Sequence, residues 1–320
     1  MLTYLFDSNP VMVLGVVATF VLTFVCILKF KDRLPYDKGR EFAVDGTLSK
    51  GKARGAGIIF VLVFALCDVL FNTVSIERYI YLAVIILCML TGYLDDAATK
   101  AWNEYLKGAL DLILAIIVAV TYLTYHGNSF RILSLFDIVI TLPYWLAGLL
   151  IVALVWCAIN VTNCTDGVDG LSATLTTVTL FSFALVIVKL YGFNDSAYSV
   201  LLFCLALAAY LWFNANPSTV LMGDAGSRAM GMMIAIIALL SGRPLLYIPF
   251  SLVMILDGGL GLIKVALLRF LKISILKNVR CPLHDQARKV NGWSGTQVCY
   301  RFTLIQLALS VTFAMLEVLL

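Results

Sequence analysis

Asn160-Val-Thr-Asn-Cys-Thr-Asp-Gly-Val-Asp-Gly-Leu-Ser172 is the densest polar stretch of an otherwise very apolar chain. Asp166 and Asp169 stand three residues apart, each followed by a glycine, Gly167 and Gly170. Apolar runs press on the stretch from both sides, residues 151–159 before it and 173–190 after it. Crossing a bilayer takes roughly 20 apolar residues in a helix. The two flanks therefore read as neighbouring transmembrane helices, and the polar stretch as their junction at one face of the membrane. Asn, Asp and Gly are also ordinary turn residues, so the plain alternative is a turn between two helices. A functional use is the reading preferred here, because glycine lets the backbone approach a ligand closely and a chain this apolar gathers its acids at so few places.

Composition supports the membrane reading. Of 320 residues, 62% are hydrophobic and 13% charged, with a mean hydropathy of +0.98. A soluble domain of this size does not have that composition. With no tandem repeat, low-complexity segment or linker, the expectation is one integral membrane domain over residues 1–320. None of the eight cysteines has C-x-x-C spacing, and Cys26, Cys67, Cys88 and Cys204 lie inside apolar runs, where Cys acts as a small hydrophobe. Neither a disulfide framework nor a zinc site is expected. The first apolar segment lacks a small-residue cleavage site and reads as a retained span.

Ten spans are expected, at residues 10–27, 55–71, 79–94, 105–125, 142–159, 171–190, 197–213, 228–240, 244–271 and 302–320. The fold class is thus an all-α polytopic membrane protein of about ten helices. Lys and Arg crowd the loops on one side, at residues 29–54, 100–107 and 269–301, including Lys38, Arg40, Lys50 and Lys52. The opposite loops carry Arg78, Arg131, Lys189 and Arg243. The positive-inside rule makes the first set cytoplasmic and turns both termini outward. Loop topology accounts for the net charge of +4, so no nucleic-acid partner is implied.

That topology puts Asp95-Asp96, Asp166 and Asp169, Asp224 in Met222-Gly-Asp-Ala-Gly-Ser227, and His284 on one face. Ionisable residues near membrane depth are costly and mark function by default. Several close carboxylates stay ionised together only when a cation joins them. An all-oxygen site suits Mg²⁺ or Mn²⁺, and Mg²⁺ held by one or two carboxylates serves phosphoryl chemistry. The Lys and Arg of the first loop are candidates for further phosphate contacts. Asp257-Gly258-Gly259 reads as a bend in a long ninth helix, and His126 as a plain loop residue. No Ser/His/Asp grouping has credible spacing.

Leu94-Asp95-Asp96, the Asn160–Ser172 stretch, Met222–Ser227, and Pro282-Leu-His284 followed by Gly292-Trp293-Ser294 resemble the signatures of the polyprenyl-phosphate N-acetylhexosamine-1-phosphate transferases. The resemblance runs from about the second span to the tenth. It implies ten helices with a cytoplasmic-side cleft in a bacterial inner membrane, and Mg²⁺ as cofactor. The activity it implies is transfer of phospho-MurNAc-pentapeptide from UDP-MurNAc-pentapeptide to undecaprenyl phosphate, giving lipid I and UMP. It also implies roles, residue by residue. Asp95 is the base toward the lipid phosphate and Asp96 its partner. Asp224 is the Mg²⁺ ligand. Asn163, Asp166, Gly167 and Asp169 line the nucleoside and pyrophosphate pocket, Asp169 being counted with the catalytic set, and Asn214 lies beside it. Lys107 is near the lipid phosphate, with Lys50 and Lys52 as further phosphate contacts. His284, also counted with the catalytic set, is the first position of a triple-His motif that reads His284-Asp285-Gln286 here. A homodimer and binding of nucleoside inhibitors that mimic the UDP-sugar follow as expectations. The alternatives are a UDP-GlcNAc:undecaprenyl-phosphate GlcNAc-1-phosphate transferase and, outside enzymes, a cation-coupled secondary transporter. A transporter is expected to carry such acids near mid-membrane in repeated broken helices.

Overall fold

The computed structural model describes residues 2, 8–37, 39, 49–73, 75–100, 102–132 and 138–319. Lys38 and Arg40, counted in the charge argument, lie outside the described residues. Eleven helices are named here. They are α1 (Ser8–Phe30), α2 (Gly57–Phe71), α3 (Ile76–Ala97), α4 (Glu104–His126), α5 (Tyr144–Thr165), α6 (Leu171–Tyr191), α7 (Asp195–Asn214), α8 (Gly223–Leu240), a bent α9 (Pro244–Phe250 with Leu252–Leu271), the short α10 (Leu283–Lys289) and α11 (Gly295–Leu319).

Among the described residues eight helices are long and apolar enough to cross a membrane, and the bent pair makes a ninth. The 15-residue α2 is the shorter apolar helix that completes the count near ten. The chain is therefore a multi-pass membrane protein. Helix α8 is its centre: 89% of its span is buried inside the protein, against 28% for α1 and 22% for α11. The last two turn most of their apolar surface toward lipid, and α8 packs on α3, α5, α6 and α2.

Three expected boundaries move. Helix α5 continues past Ile159 to Thr165, so the first half of the polar stretch is helical. Its polar side chains satisfy themselves on the helix: Thr165 Oγ1 donates to the Val161 carbonyl at 3.0 Å, and Asn160 Nδ2 to the Trp156 carbonyl at 2.9 Å. Helix α8 begins at Gly223 and not at Arg228, which puts Asp224 in its first turn. Helix α9 bends by 69° at Ser251, six residues before the expected bend. Asp257-Gly258-Gly259 lies instead in a π-helical turn, Ile255–Gly259. His126 is the last residue of α4 and not a loop residue; its Nε2 is 2.6 Å from Glu77 Oε1.

Two small sheets join the helices. β1 (Ala53–Arg54) pairs in parallel with β4 (Val220–Leu221), in register Ala53 to Val220 and Arg54 to Leu221. β2 (Ser129–Arg131) and β3 (Val139–Thr141) form an antiparallel hairpin at the opposite end. The first pair matters most for the site, because it fixes the segment before α2 against the segment before α8. Ala56 N donates to the Leu221 carbonyl and Gly57 N to the Met222 carbonyl, both at 3.0 Å.

Candidate active site at one end of the bundle

The β1–β4 pairing delivers Arg54 to the N-terminal turn of α8. There its guanidinium meets three carboxylates: Asp96 at 2.7 Å, Asp224 at 3.3 Å and Asp37 at 3.4 Å. Burial by itself would pull the guanidinium down, but the charges of Asp96, Asp224 and Asp37 together hold it above the usual arginine range. Asp96 also accepts the Ala225 N–H at 3.3 Å. Next to this group, Lys107 of α4 pairs with Asp95 Oδ2 and lies 3.5 Å from Asp224 Oδ2. Asp95 Oδ1 accepts the Trp102 N–H at 2.7 Å. Cations and carboxylates thus alternate, Asp95–Lys107–Asp224–Arg54–Asp96, across α3, α4, β1 and α8.

A cavity of about 360 Å³ opens beside the chain of charges. Asn163, Asp166, Gly167, Asp169, Asn214, Asp224 and Lys52 line it, seven of the sequence-predicted site residues. Asp95, Asp96, Lys107 and His284 are not among its lining residues, and Lys50 is exposed on the turn before β1. Arg54, one of the first-loop cations expected near phosphate, also lines it, with Asp37 and Ser218, which no sequence motif marks. Asp169 accepts from Ser218 twice, from the backbone N at 3.0 Å and from Oγ at 2.8 Å, while Lys52 Nζ donates to Ser218 Oγ at 3.0 Å. Asn214 bridges the polar stretch to β4: its Oδ1 accepts the Gly170 N–H at 2.8 Å and its Nδ2 donates to the Val220 carbonyl at 2.9 Å. Asn163 Nδ2 donates to Ser227 Oγ at 2.8 Å. Several polar side chains of the stretch are therefore committed to holding its shape.

His284 lies behind Gly167. A Cβ at Gly167 would overlap the imidazole at Nε2, so only glycine admits that approach. Asp257 holds the other edge of the ring. Its Oδ1 accepts the His284 backbone N–H at 2.7 Å, and its Oδ2 lies 2.9 Å from Nδ1. Asp257 is fully buried, and a buried charge without partners is expensive. The residue taken as part of a bend therefore anchors the one histidine of the cluster. The two residues after His284 turn away from this contact: Asp285 reaches toward Lys289, and Gln286 Oε1 accepts the Arg280 N–H at 2.8 Å.

A second cavity of about 610 Å³ opens at the far end of the bundle, against the hairpin and the start of α3. It is the larger of the two, but it holds none of the predicted site residues. Asp68, Glu77 and Asp195 line it, whereas the acids of the sequence motifs, Asp166, Asp169 and Asp224, line the smaller cavity.

The charge chain has the parts that a diphosphate site needs: hard oxygen donors, fixed cations and space. Among the described residues no three His, Cys, Asp or Glu converge as a closed metal cage. Mg²⁺ commonly takes one or two protein carboxylates and leaves other positions to phosphate and water. Asp224, Asp166 and Asp169 line the same cavity without converging on one point, which fits an open site that uses one or two of them.

A profile of glycosyl transferase family 4 matches residues 79–242. A phospho-N-acetylmuramoyl-pentapeptide-transferase of Treponema pallidum (strain Nichols) is 42% identical over 297 residues, covering 87% of this chain and 81% of that protein. Proteins of the same name from Geobacillus sp. (strain WCH70) and Clostridium perfringens (strain SM101 / Type A) are each 29% identical, over 97% and 93% of this chain and 98% and 94% of their own lengths.

Proposed function

The chain belongs to glycosyl transferase family 4, and from that membership we propose that it transfers phospho-MurNAc-pentapeptide from UDP-MurNAc-pentapeptide to undecaprenyl phosphate, releasing UMP and forming lipid I. It is a phosphoglycosyl transferase, and the transport reading falls away. The observation that carries the proposal is the alternating chain of Asp95, Lys107, Asp224, Arg54 and Asp96 beside a polar cavity at one end of a membrane bundle. A lipid-borne phosphate and a soluble nucleotide sugar can meet at such a place.

In this reading the UDP-sugar diphosphate enters the cavity, with Lys52 and Arg54 facing its charge and the Gly167–Asp169 turn close to the nucleotide. The lipid phosphate arrives at Lys107. One of its oxygens attacks the sugar-linked phosphorus, the phosphoanhydride P–O bond breaks, and UMP leaves with the bonding electrons. Asp224 would hold Mg²⁺, with Asp166 or Asp169 as a second donor; bound there, the ion supplies neutralisation of charge moving onto UMP. Asp96 holds Arg54 in place, and Asp95 holds Lys107. His284, fixed by Asp257, supports the Gly167 turn. Orientation follows the positive-inside expectation, with the cavity facing the cytoplasm of a bacterial inner membrane. A homodimer through the lipid-facing sides of α1 and α11, and blockage of the cavity by nucleoside mimics of the UDP-sugar, belong to the same proposal.

The test is an assay of the purified protein with undecaprenyl phosphate and each nucleotide sugar in turn. UMP release with UDP-MurNAc-pentapeptide and not with UDP-GlcNAc is expected. Release with UDP-GlcNAc alone would move the chain to the GlcNAc-1-phosphate reading.

A further inference from the structure

Below the charge chain, deeper in the bundle, lies an ion pair that the proposed chemistry does not use. Asp111 of α4 and Arg228 of α8 are bonded through Oδ1 and Nη2, and each side chain is 3% exposed. The other two guanidinium nitrogens of Arg228, Nε and Nη1, make no hydrogen bond. Ionised groups this deep in a membrane bundle are costly unless paired, and an apolar pair of similar volume often holds a buried contact as well. Stability alone does not explain them.

Their spacing does. Lys107 and Asp111 are four residues apart on α4, and Asp224 and Arg228 are four apart on α8, so each couple shares one helix face. Both helices start at the site end and run the same way. The result is two rungs, one helical turn apart, of opposite polarity. In the upper rung α4 supplies the cation and α8 the anion, Lys107 to Asp224 at 3.5 Å. In the lower rung the polarity is reversed, Asp111 to Arg228. Helices α4 and α8 each pack on α3 and α5, and the charged side chains reach across between them. A slip of one turn, about 5.4 Å, would bring Lys107 level with Arg228 in one direction and Asp111 level with Asp224 in the other. Both arrangements set like charges face to face.

We propose that Asp111 and Arg228 are positioning residues: they lock the axial register of α4 against α8 and so hold Lys107 between Asp95 and Asp224. The consequence for turnover rests on the transferase reading above; the register lock does not. Neither residue lines the cavity, so both act through Lys107.

The experiment uses the full-length protein in lipid nanodiscs, with Arg228→Leu, Asp111→Leu, the Leu/Leu double variant and Arg228→Lys. Dimethylation of lysines with ¹³C gives each amine a resonance, and loss of one signal in Lys107→Arg assigns Lys107. Its position reports the upper rung without any turnover. Each single Leu variant should lower Tm, because a lone charge stays buried, and should shift the Lys107 resonance. In the double variant Tm should recover while the Lys107 resonance stays shifted. There kcat should remain at least about tenfold low, with KM for the nucleotide sugar within about twofold. Arg228→Lys, which keeps the charge, should recover most of kcat. A Lys107 resonance unmoved in the double variant overturns the proposal. So does a kcat that returns together with Tm, which makes the pair a strut only. A raised KM for undecaprenyl phosphate at unchanged kcat also overturns it, by making Arg228 a direct contact. If Lys107 shifts as expected but the unsubstituted protein has no turnover, the transferase reading fails and the register lock stands.

Discussion

At the scale of single residues, the carboxylates divide by what holds them. Asp224 lines the cavity and is reached by two cations at 3.3 and 3.5 Å. Asp224→Asn should reduce turnover by about 10²-fold or more, since a neutral amide binds a hard cation poorly. Part of the activity should return at high Mg²⁺, and a turnover curve against Mg²⁺ that keeps its midpoint would exclude the metal role. Asp95 differs, because both its oxygens are taken, one by Trp102 N and one by Lys107. The lipid phosphate itself has a second pKa of about 6, so a general base matters most in acid. Asp95→Asn should depress kcat about equally from pH 6 to 9, as expected for an anchor of Lys107. A loss confined to low pH would make Asp95 the base. Asp257→Asn should lower both Tm and kcat: the buried hydrogen bonds to His284 lose their charge, a loss of about 1.5–3 kcal/mol each at most. Thermal denaturation and initial rates read the two effects, and an unchanged Tm would place Asp257 outside the support of His284. Arg54 adds no pH dependence. Its folded-state pKa is raised above the usual value, so the stability it adds is complete below the ordinary arginine range and fades only above it.

Among the elements, the sequence was most legible where period and length agree. Helices α3, α4, α6 and α7 fall within a few residues of their apolar runs. Asp95, Asp166, Asp169 and Asp224 were legible as a cluster because acids are rare in such a chain. Arg54 was not. It stands in a charge-rich loop without periodicity, and its partner strand is 167 residues away in sequence. Asp257 is masked in the sequence by its two glycines, which have the composition of a bend, while its contact with His284 exists only in the fold. Close helix packing was also invisible. Gly92 of α3 faces the Asp224 backbone so tightly that a Cβ would overlap it. Gly92→Ala should therefore force α3 from α8 at a cost of about 1–3 kcal/mol. Because the strain falls on the Asp224 turn, activity should drop further than Tm does. Full activity in a folded Gly92→Ala protein would mean that the turn tolerates the shift.

For the whole molecule, orientation is the property that charge predicts and bundle geometry leaves open. Lys50 stands at the site end and Asn128 beside the far hairpin. In a background without the eight native cysteines, Lys50→Cys and Asn128→Cys should react with a membrane-impermeant maleimide from opposite sides. Intact cells should label the second position, and Lys50→Cys only after the membrane is opened. The reverse pattern would turn the site outward and remove access to cytoplasmic nucleotide sugars.

The short β1–β4 pairing carries a consequence for how the protein is made. Arg54 leaves the ribosome long before most of its counter-charges. Asp37 precedes it and Asp96 follows 42 residues later, but Asp224 comes 170 residues on, and the Asp257–His284 contact later still. A nascent chain thus passes through much of its insertion before Asp224 joins Asp37 and Asp96 at Arg54 and before the cavity is complete. Activity arises only when the last third of the chain has entered the bilayer and closed onto the first. Turnover in a living cell would then count finished molecules, and a truncated chain would be inert as well as unstable.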